Sequence, residues 1–495
     1  MLSRTSILTS FSIKQIPLWL LAICAGALTP LAFAPFNLWY LIIPCYSCLI
    51  YICARTTPGR SGYYGLLFAL AKFSIGLYWL FSISAQYPLA LDKLTICIIL
   101  VGILFYQVKP SNICWYILLL PALLTLSEWL RGWLFTGLPW YSAGYAFINP
   151  GFSQLLPLTG ILGTSYCVYL IAGALSLVAD WLKSYLSWTA LLIIVATIAS
   201  GHLLLGNKLA TTTPLPDKQF YAQIIHGNFN LTHKTAASSI TRIKQYQILT
   251  NRAPYPQLSI WPESSASIEF NQIQEQLELG FNALAANNIS VLFGTYRQAQ
   301  DDAHNVILNE QLQRVYSKQH LLPFGEYLPA WLTPLSFLMP DINMGQLYAA
   351  PSSAPVSWNE LKIASSICFE ILFATQLASA SRNANFIVNL SDLGWFNNSW
   401  AASYLLTNAQ ARAIESGKPL LYSSNQGVSA FIEYDGSIMQ TNTSSDTSAI
   451  YQAITPRTGS TWYALWGNYP IIIYCILLLI ITGMCYLLFT KNHKN

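Results

Sequence analysis

Three residues in the polar part of this chain carry side chains that together could form and break a covalent bond. Cys368 ends an apolar, β-branched run at 362–367, Glu263 follows the run 257–261, and Lys318 follows a third short run. A thiol with a pKa of about 8.5 is a weak nucleophile until a base removes its proton. A carboxylate can act as that base, and an ammonium group can stabilise first the thiolate and then an oxyanion. The set therefore predicts nucleophilic acyl chemistry.

Each of these residues also has an ordinary structural explanation. A lone cysteine is commonly a small buried apolar residue, a glutamate can cap a helix, and a lysine can be a solvated loop residue. Cys368 is nevertheless the only one of ten cysteines that lies outside the apolar segments, so it has no disulfide partner in the polar part of the chain. The residues taken singly leave both explanations open.

The composition divides the chain into two kinds of segment. Of its 495 residues, 54% are hydrophobic and only 9% are charged, far from the roughly 25% charge of soluble proteins. Before residue 207 the only acidic residues are Asp92, Glu128 and Asp180. The composition of 207–468 is that of a globular domain. We therefore predict a membrane protein with a globular domain inserted between spans.

The net charge of +5 and the absence of a basic stripe argue against nucleic acid as a partner.

Eight apolar stretches are long enough to cross a bilayer. They lie at about 16–35, 38–54, 62–84, 90–108, 113–135, 153–179, 188–206 and 469–489. This predicts a seven-span bundle at 1–206, an inserted domain at 207–468, and a last span with a short tail at 469–495. Eight lysines and arginines lie in the short segments on the side of the N-terminus and two on the other side. Because positive loops stay in the cytoplasm, the inserted domain is expected on the extracytoplasmic face.

Within the bundle, Glu128 and Arg131 stand three residues apart, a spacing at which helical side chains can pair. Such groups are rare inside a membrane, and we interpret them as an ion pair that fixes helix packing or as a contact for a lipid headgroup. The stretch 137–145 contains Gly137, Pro139 and Gly144 and predicts a break in the helix after the fifth span.

The inserted domain alternates strand-like and helix-like runs, which predicts an α/β layered fold. Predicted strands lie at 219–226, 257–261, 290–296, 361–368, 386–391, 419–424, 428–433 and 449–455, and predicted helices at 236–249, 270–286 and 400–416. Tyr434-Asp435-Gly436 predicts a hairpin turn. On this reading Glu263, Lys318 and Cys368 each follow a strand and could meet at one edge of a sheet.

Together these residues resemble the Glu-Lys-Cys set of the nitrilase superfamily, and the whole chain resembles its membrane-bound branch, the apolipoprotein N-acyltransferase family. The motifs that carry the resemblance run nearly end to end: Leu31–Phe36, Glu128–Arg131, Gly137–Trp140, Gly227-Asn228, Trp261-Pro262-Glu263, Lys318 with His320 and Pro323–Glu326, Cys368–Glu370, Trp395-Phe396, Arg412–Glu415, Asn425 with Gly427, and Gly459–Tyr463. The family's fold implies an αββα sandwich for the inserted domain, beside a polytopic helical membrane bundle of about eight spans.

The resemblance also implies roles and partners. Glu263 would be the general base, Lys318 the stabiliser of the oxyanion and Cys368 the nucleophile, with Glu326 and Glu370 as supporting carboxylates. The expected donor is a phospholipid, and the expected acceptor is the diacylglyceryl-modified N-terminal cysteine of an apolipoprotein. Such an enzyme resides in the bacterial inner membrane with its catalytic domain on the periplasmic side. No cofactor and no metal ion are expected.

The chain departs from the family's pattern in places, with Phe369 where Tyr is frequent after the nucleophile and Tyr422 where Arg is usual. These positions lie in loops that are expected to shape substrate access. Two other functions remain: a membrane-tethered carbon–nitrogen hydrolase that passes the acyl group to water, and a transporter with an external sensor domain. The eight predicted spans argue against the first, and the lack of paired broken helices argues against the second.

Overall fold

The computed structural model describes residues 17–80, 118–148, 152–181, 192, 211–229, 236–266, 270–299, 302–323, 325–327, 347–351, 354–396 and 399–492. In the described residues, five α-helices precede the inserted domain: α1 Leu18–Leu28, α2 Ile42–Arg55, α3 Pro58–Gly76, α4 Leu120–Arg131 and α5 Leu156–Trp181. The last of these is kinked at Gly160, where φ is 63°. The predicted spans at 90–108 and 188–206 lie outside the described residues, apart from Leu192.

Among the described helices, the stretch Ser153–Ser176 is long and apolar enough to cross a membrane. Three further apolar helices are shorter, at Leu18–Ala32, Trp39–Arg55 and Tyr469–Met484. The structure therefore contains apolar helices where spans were predicted at both ends of the chain, whereas a bundle of eight spans is not shown by it.

The two charged residues of α4 bind different partners. The Glu128 carboxylate accepts the Ala143 N–H at 2.8 Å and the Tyr169 hydroxyl at 2.6 Å. The Arg131 guanidinium donates to main-chain oxygens of the segment that follows, including that of Trp140. The expected pairing of Glu128 with Arg131 is therefore wrong. The segment after α4 folds back on the helix and offers an N–H to the carboxylate and carbonyls to the guanidinium.

The inserted domain contains fourteen strands in the described residues. They are β1 Thr212–Pro214, β2 Phe220–His226, β3 Leu258–Ile260, β4 Ser290–Ala299, β5 Asp302–Asn309, β6 Arg314–Ser317, β7 Val356–Trp358, β8 Leu361–Ile367, β9 Phe386–Ser391, β10 Leu420–Ser424, β11 Ser429–Ile432, β12 Ile438–Asn442, β13 Ser448–Ile454 and β14 Arg457–Gly459. The helices are α6 Ala236–Thr250, α7 Phe270–Ala285, α8 Ala374–Ser381 and α9 Trp400–Ser416. α10 Trp462–Trp466 and α11 Tyr469–Asn492 follow.

Twelve of these strands form two six-stranded sheets that pack face to face. The first has the order β13-β2-β3-β4-β5-β6 and the second the order β12-β11-β10-β9-β8-β7. Residues such as Ile224, Ile260, Ile367 and Leu421 fill the space between the sheets. The outer face of the first sheet is covered by α6 and α7, and that of the second by α8 and α9. This is the predicted αββα sandwich.

The long, strongly patterned helices α6, α7 and α9 of the inserted domain were predicted correctly, and so was the hairpin turn at Asp435 and Gly436, which joins β11 to β12. The strands β1, β5, β7, β12 and β14 were not predicted, and β6 was expected only as a short run before Lys318. Their residues are largely polar and carry no clear alternation, and they become strands because they pair with neighbours in the sheet.

Helix α9 attaches the sandwich to the N-terminal helices. The Tyr141 N–H donates to the Tyr404 hydroxyl at 2.7 Å, and the Trp140 ring stacks on Tyr404 with centroids 5.0 Å apart. About two helical turns further along α9, Arg412 Nε lies 2.9 Å from Glu415 Oε2, and both side chains are 1% exposed. This pair also reaches across the boundary between the sandwich and the bundle. Glu415 accepts the Ile161 N–H at 3.0 Å, and Arg412 donates to the Tyr145 hydroxyl at 3.1 Å.

We predict that Arg412→Ala strongly destabilises the contact between the sandwich and the helices. Removing one partner leaves the Glu415 charge buried and unpaired, which costs about 3–5 kcal/mol. The measurement is the melting temperature of the detergent-purified protein. The double variant Arg412→Met, Glu415→Leu is expected to recover part of the loss because no charge stays buried.

The exposed pair Lys218–Glu360, with an N···O distance of 2.9 Å, serves as the control for this prediction. Water screens such a pair, so Glu360→Ala is expected to leave the melting temperature unchanged. Equal melting temperatures for Arg412→Ala and Glu360→Ala would contradict an anchoring role for the buried pair.

Candidate active site

The side chains singled out in the sequence meet where strands of the two sheets end. In the first sheet, β3 ends at Ile260 shortly before Glu263, and β6 ends at Ser317 directly before Lys318. In the second sheet, β8 ends at Ile367 directly before Cys368. Because β3 and β6 run in the same direction, their carboxyl ends share one edge of the first sheet. The expectation that these residues converge is met by the geometry.

Lys318 is buried at this edge of the sheet, between two carboxylates. Its Nζ is 2.8 Å from Glu326 Oε1 and 3.5 Å from Glu263 Oε1, and the Lys318 side chain is 2% exposed. Burial acts to lower the pKa of Lys318, but the Glu326 and Glu263 carboxylates outweigh it and raise the pKa well above its usual value. The lysine is therefore a permanent cation in this site.

Asn305, which the sequence analysis did not identify, joins the same two carboxylates. Its Nδ2 donates to Glu263 Oε1 at 2.8 Å and to Glu326 Oε1 at 3.0 Å, and its main-chain oxygen accepts the Lys318 N–H at 2.8 Å. It stands near the start of β5, at the same sheet edge as the other two strands. Asparagine in a strand of mixed polarity carries no local signal, so only the pairing of β4 with β5 reveals it.

The thiol of Cys368 is half-buried, and the charges of Glu263, Lys318 and Glu326 act on it. Burial raises the pKa of Cys368 well above its usual value, and the Glu263 charge raises it further. The Lys318 ammonium and a hydrogen bond from the Asp392 main-chain N–H act in the opposite direction. The thiol is thus protonated at neutral pH, beside a carboxylate that can accept its proton.

Cys368 occupies a sharp turn between β8 and a 3₁₀ helix at Cys368–Leu372, and its φ of 52° is rare for a residue with a side chain. Glu370 holds this turn. One of its carboxylate oxygens accepts the Ile367 N–H at 2.7 Å, and the other accepts the N–H groups of Gln319 at 2.7 Å and His320 at 2.9 Å. Glu370 therefore links the segment after Lys318 to the segment that carries the thiol.

Two further side chains complete the surroundings of Glu370. The Tyr316 hydroxyl donates to it at 2.9 Å, and Gln376 Nε2 donates at 3.2 Å. Burial raises the pKa of Glu370, partly offset by the Lys318 ammonium and by the main-chain donors. Glu326 is held in a similar way, since its second oxygen accepts the Leu322 N–H at 2.7 Å. Both carboxylates predicted to support the site thus position the segment around Lys318 and Cys368.

This arrangement is suited to acyl transfer through a thioester. It holds a thiol, a carboxylate that can accept its proton, and a fixed cation that can stabilise an oxyanion. Within the described residues, no group of three or more His, Cys, Asp or Glu side chains is placed to hold a metal ion.

We predict that Glu370→Gln slows the alkylation of Cys368 by chloroacetamide by about tenfold. An amide has one acceptor oxygen, so its NH₂ group would face at least one of the main-chain donors, and a buried donor without a partner costs about 1–3 kcal/mol. The turn that presents the thiol would therefore loosen. Alkylation is followed at the Cys368 peptide by mass spectrometry.

Glu310→Gln is the matched control, because Glu310 also accepts a main-chain N–H, that of Val291 at 2.9 Å. Glu310 directly follows β5, which ends at the sheet edge opposite the one that holds the site. It is expected to alkylate like the unchanged protein. An unchanged rate in Glu370→Gln would show that Glu370 does not hold the turn.

Comparison with known proteins gives two family matches. The family model described as the apolipoprotein N-acyltransferase N-terminal domain matches residues 25–174, and the carbon–nitrogen hydrolase model matches residues 233–463. Relatives named apolipoprotein N-acyltransferase include one from Shewanella oneidensis, 29% identical over 93% of this chain and 94% of its own length. Another, from Methylococcus capsulatus, is 29% identical over 96% of both chains.

Among solved structures, the chain is similar to Saccharomyces cerevisiae Nit3, described as a member of branch 10 of the nitrilase superfamily. The identity is 15%, the TM-score is 0.36, and the match covers 48% of this chain and 90% of that one. The two family models match consecutive parts of the chain, and the relatives match it almost from end to end. The chain therefore belongs to the apolipoprotein N-acyltransferase family, with a carbon–nitrogen hydrolase domain as its second part.

Proposed function

We propose that this protein transfers an acyl chain from a phospholipid to the N-terminal α-amino group of diacylglyceryl-modified cysteine in apolipoproteins. The observation that carries the proposal is the cluster of Glu263, Lys318 and Cys368 at one edge of the sandwich. Its support from comparison is the near full-length match to proteins named apolipoprotein N-acyltransferase. The enzyme is accordingly an acyltransferase of lipoprotein biosynthesis.

In the proposed first half-reaction Glu263 takes the proton of the Cys368 thiol. The sulfur attacks the ester carbonyl of the phospholipid, and Lys318 stabilises the oxyanion that forms. The carbon–oxygen ester bond then breaks, and Glu263 returns the proton to the departing glycerol oxygen. A thioester on Cys368 and a lysophospholipid result.

In the proposed second half-reaction the α-amino group of the acceptor attacks the thioester. Glu263 accepts a proton from the attacking nitrogen, because an ammonium group has no lone pair with which to attack. The carbon–sulfur bond then breaks as the nitrogen gives up a second proton and the amide forms. That proton passes to the sulfur and regenerates the Cys368 thiol, while Glu263 releases the first proton to water. Glu326 and Glu370 act as supporting carboxylates, the first by holding Lys318 and the second by holding the turn at Cys368.

The proposal includes the membrane organisation that the sequence predicts. Residues 1–206 would form seven spans, 207–468 the catalytic domain on the periplasmic side, and 469–495 the last span and a short cytoplasmic tail. Support comes from the apolar helix at Ser153–Ser176 and from the outer face of α11, where Ile473, Ile480 and Ile481 are exposed large apolar side chains. Both substrates are lipids anchored in a bilayer, which explains why the sandwich is mounted on apolar helices.

One alternative has a specific observation in its favour. The match to carbon–nitrogen hydrolases at residues 233–463 also fits an enzyme that passes the acyl group of the thioester to water. The two functions share the first half-reaction and differ only in the acceptor.

The test follows the acyl group from the enzyme to its acceptor. Detergent-purified protein is loaded with a labelled phospholipid, excess lipid is removed, and a diacylated lipopeptide with a free α-amino group is added. We expect the label on the peptide as an amide, and no label on the same peptide with its amino group acetylated. Release of the label as free fatty acid at equal rates with both peptides would favour the hydrolase.

We predict that Glu263→Gln lowers the rate of acyl-enzyme formation by about 10²–10⁴-fold, the range expected when a general base is lost. The amide oxygen can still accept from Asn305, so the fold is expected to persist. The measurement is the single-turnover rate of Cys368 acylation, with the melting temperature as a check on folding. A folded variant with an unchanged rate would remove Glu263 from the proton-transfer role.

A further inference from the structure

The second sheet ends in a row of three polar residues on neighbouring strands. The parallel strands β8, β9 and β10 are in register, with Ile367 opposite Leu390 and Ser391 opposite Ser424. The residues that follow these strand ends are Cys368, Asp392 and Asn425. Parallel strands place such positions side by side at one edge of a sheet. The last two have no role in the mechanism proposed above.

Asp392 touches the nucleophile through its main chain. Its N–H is a hydrogen-bond partner of the Cys368 sulfur. Its side chain is 4% exposed, and one carboxylate oxygen accepts the Gly394 N–H at 3.1 Å and the Asn425 Nδ2 at 3.2 Å. The direction of the Asp392 N–H therefore depends on how this carboxylate is held.

Asn425 is the side chain that ties this carboxylate to the first sheet. Asn425 is 2% exposed, and both the oxygen and the nitrogen of its side-chain amide form hydrogen bonds. Oδ1 accepts the Phe229 N–H at 3.1 Å, and Nδ2 donates to the Phe229 carbonyl at 2.9 Å as well as to Asp392. The Asn425 main-chain N–H also donates to the Ser391 carbonyl at 2.9 Å. One side chain thus fastens the end of β2 in the first sheet to the loop after β9 in the second.

The close approach of the two loops is visible at Gly227. A Cβ added at this glycine would lie 2.5 Å from Asn425 Oδ1 and 2.3 Å from the Tyr246 hydroxyl. No side chain fits there, so the segment after β2 comes near enough for its main chain to bind the Asn425 amide. We call the hydrogen bonds of the Asn425 side chain to the Phe229 main chain and to the Asp392 carboxylate the clamp.

We propose that Asn425 is a positioning residue which, by fastening the Asp392 carboxylate to the Phe229 main chain, holds the Asp392 N–H against the Cys368 sulfur. This inference rests on the proposed role of Cys368 as nucleophile. When the thiol gives its proton to Glu263, negative charge forms on sulfur, and a fixed N–H stabilises it more than the neutral thiol. The same donor assists when the sulfur leaves the thioester in the second half-reaction.

Other charges also act on this sulfur and stay in place when Asn425 is changed. Glu263 and Glu326 disfavour the thiolate, and Lys318 favours it. The Tyr422 side chain lies close enough to interact with Cys368, and Arg242 interacts with Asp392 from α6. A change in the thiol that follows substitution of Asn425 alone therefore reports the clamp.

The test is the pH dependence of Cys368 alkylation by chloroacetamide in the full-length, detergent-purified protein, followed at the Cys368 peptide. For Asn425→Ala we expect the rising limb of the profile to move to higher pH by about one unit, which is a tenfold lower rate at any pH on that limb. The melting temperature is measured in parallel. A folded Asn425→Ala protein with the wild-type profile overturns the proposal.

Asn425→Asp provides a second variant of nearly the same size. It keeps an acceptor for the Phe229 N–H but loses the donor, and it sets a second carboxylate against Asp392, so the shift is expected to be at least as large. It also covers the case in which the alanine variant does not fold. A folded aspartate variant with an unshifted profile likewise overturns the proposal.

Asn385→Ala is the matched control. Asn385 precedes β9 at the opposite edge of the same sheet and also joins loops, accepting the Lys362 N–H at 2.8 Å and donating to the Arg457 carbonyl at 3.2 Å. It is expected to keep the wild-type profile, and an equal shift in this variant would assign the effect to general loosening and overturn the proposal. If Cys368 of the unchanged protein resists alkylation at every pH, the nucleophile itself is wrong, and the clamp fails with it.

Discussion

The site depends on one ammonium group held between two buried carboxylates. Lys318 lies 2.8 Å from Glu326 and 3.5 Å from Glu263, and water is nearly excluded from all three side chains. Desolvating such charges costs several kcal/mol for each ion, which is recovered only when the geometry and the additional hydrogen bonds are good. Asn305 supplies those bonds by donating to both carboxylates. The cluster therefore requires that the ends of β3 and β6 stay fixed relative to Asn305 in β5.

The second sheet brings the sulfur to this cluster. Cys368 has a left-handed backbone conformation, and the Glu370 carboxylate stabilises this turn. The same carboxylate accepts main-chain N–H groups from the ends of both sheets. Helix α9 then ties this sheet to the N-terminal helices through Tyr404 and the buried pair of Arg412 and Glu415. The layer that carries the nucleophile is therefore also the layer that contacts the N-terminal helices.

Much of this arrangement was accessible from the sequence, because the strands before Glu263 and Cys368 are short apolar runs that end abruptly. Asn305 was missed because its strand is polar and acquires its place only by pairing with β4. The pairing of Glu128 with Arg131, one of the two interpretations drawn from their helical spacing, is wrong, since the segment after α4 supplies main-chain partners for both side chains. Local patterns identify strand ends, whereas contacts between distant segments decide which polar groups meet.

The central claim is that Cys368 carries the acyl group and that the neighbouring charges make this possible. Its most direct test is the intact mass of the purified protein after incubation with a phospholipid of defined acyl chains. The account predicts one added acyl mass that hydroxylamine removes, as expected for a thioester, and no such mass in Cys368→Ala. An acyl adduct of equal yield in Cys368→Ala, or none in the unchanged protein, would contradict it.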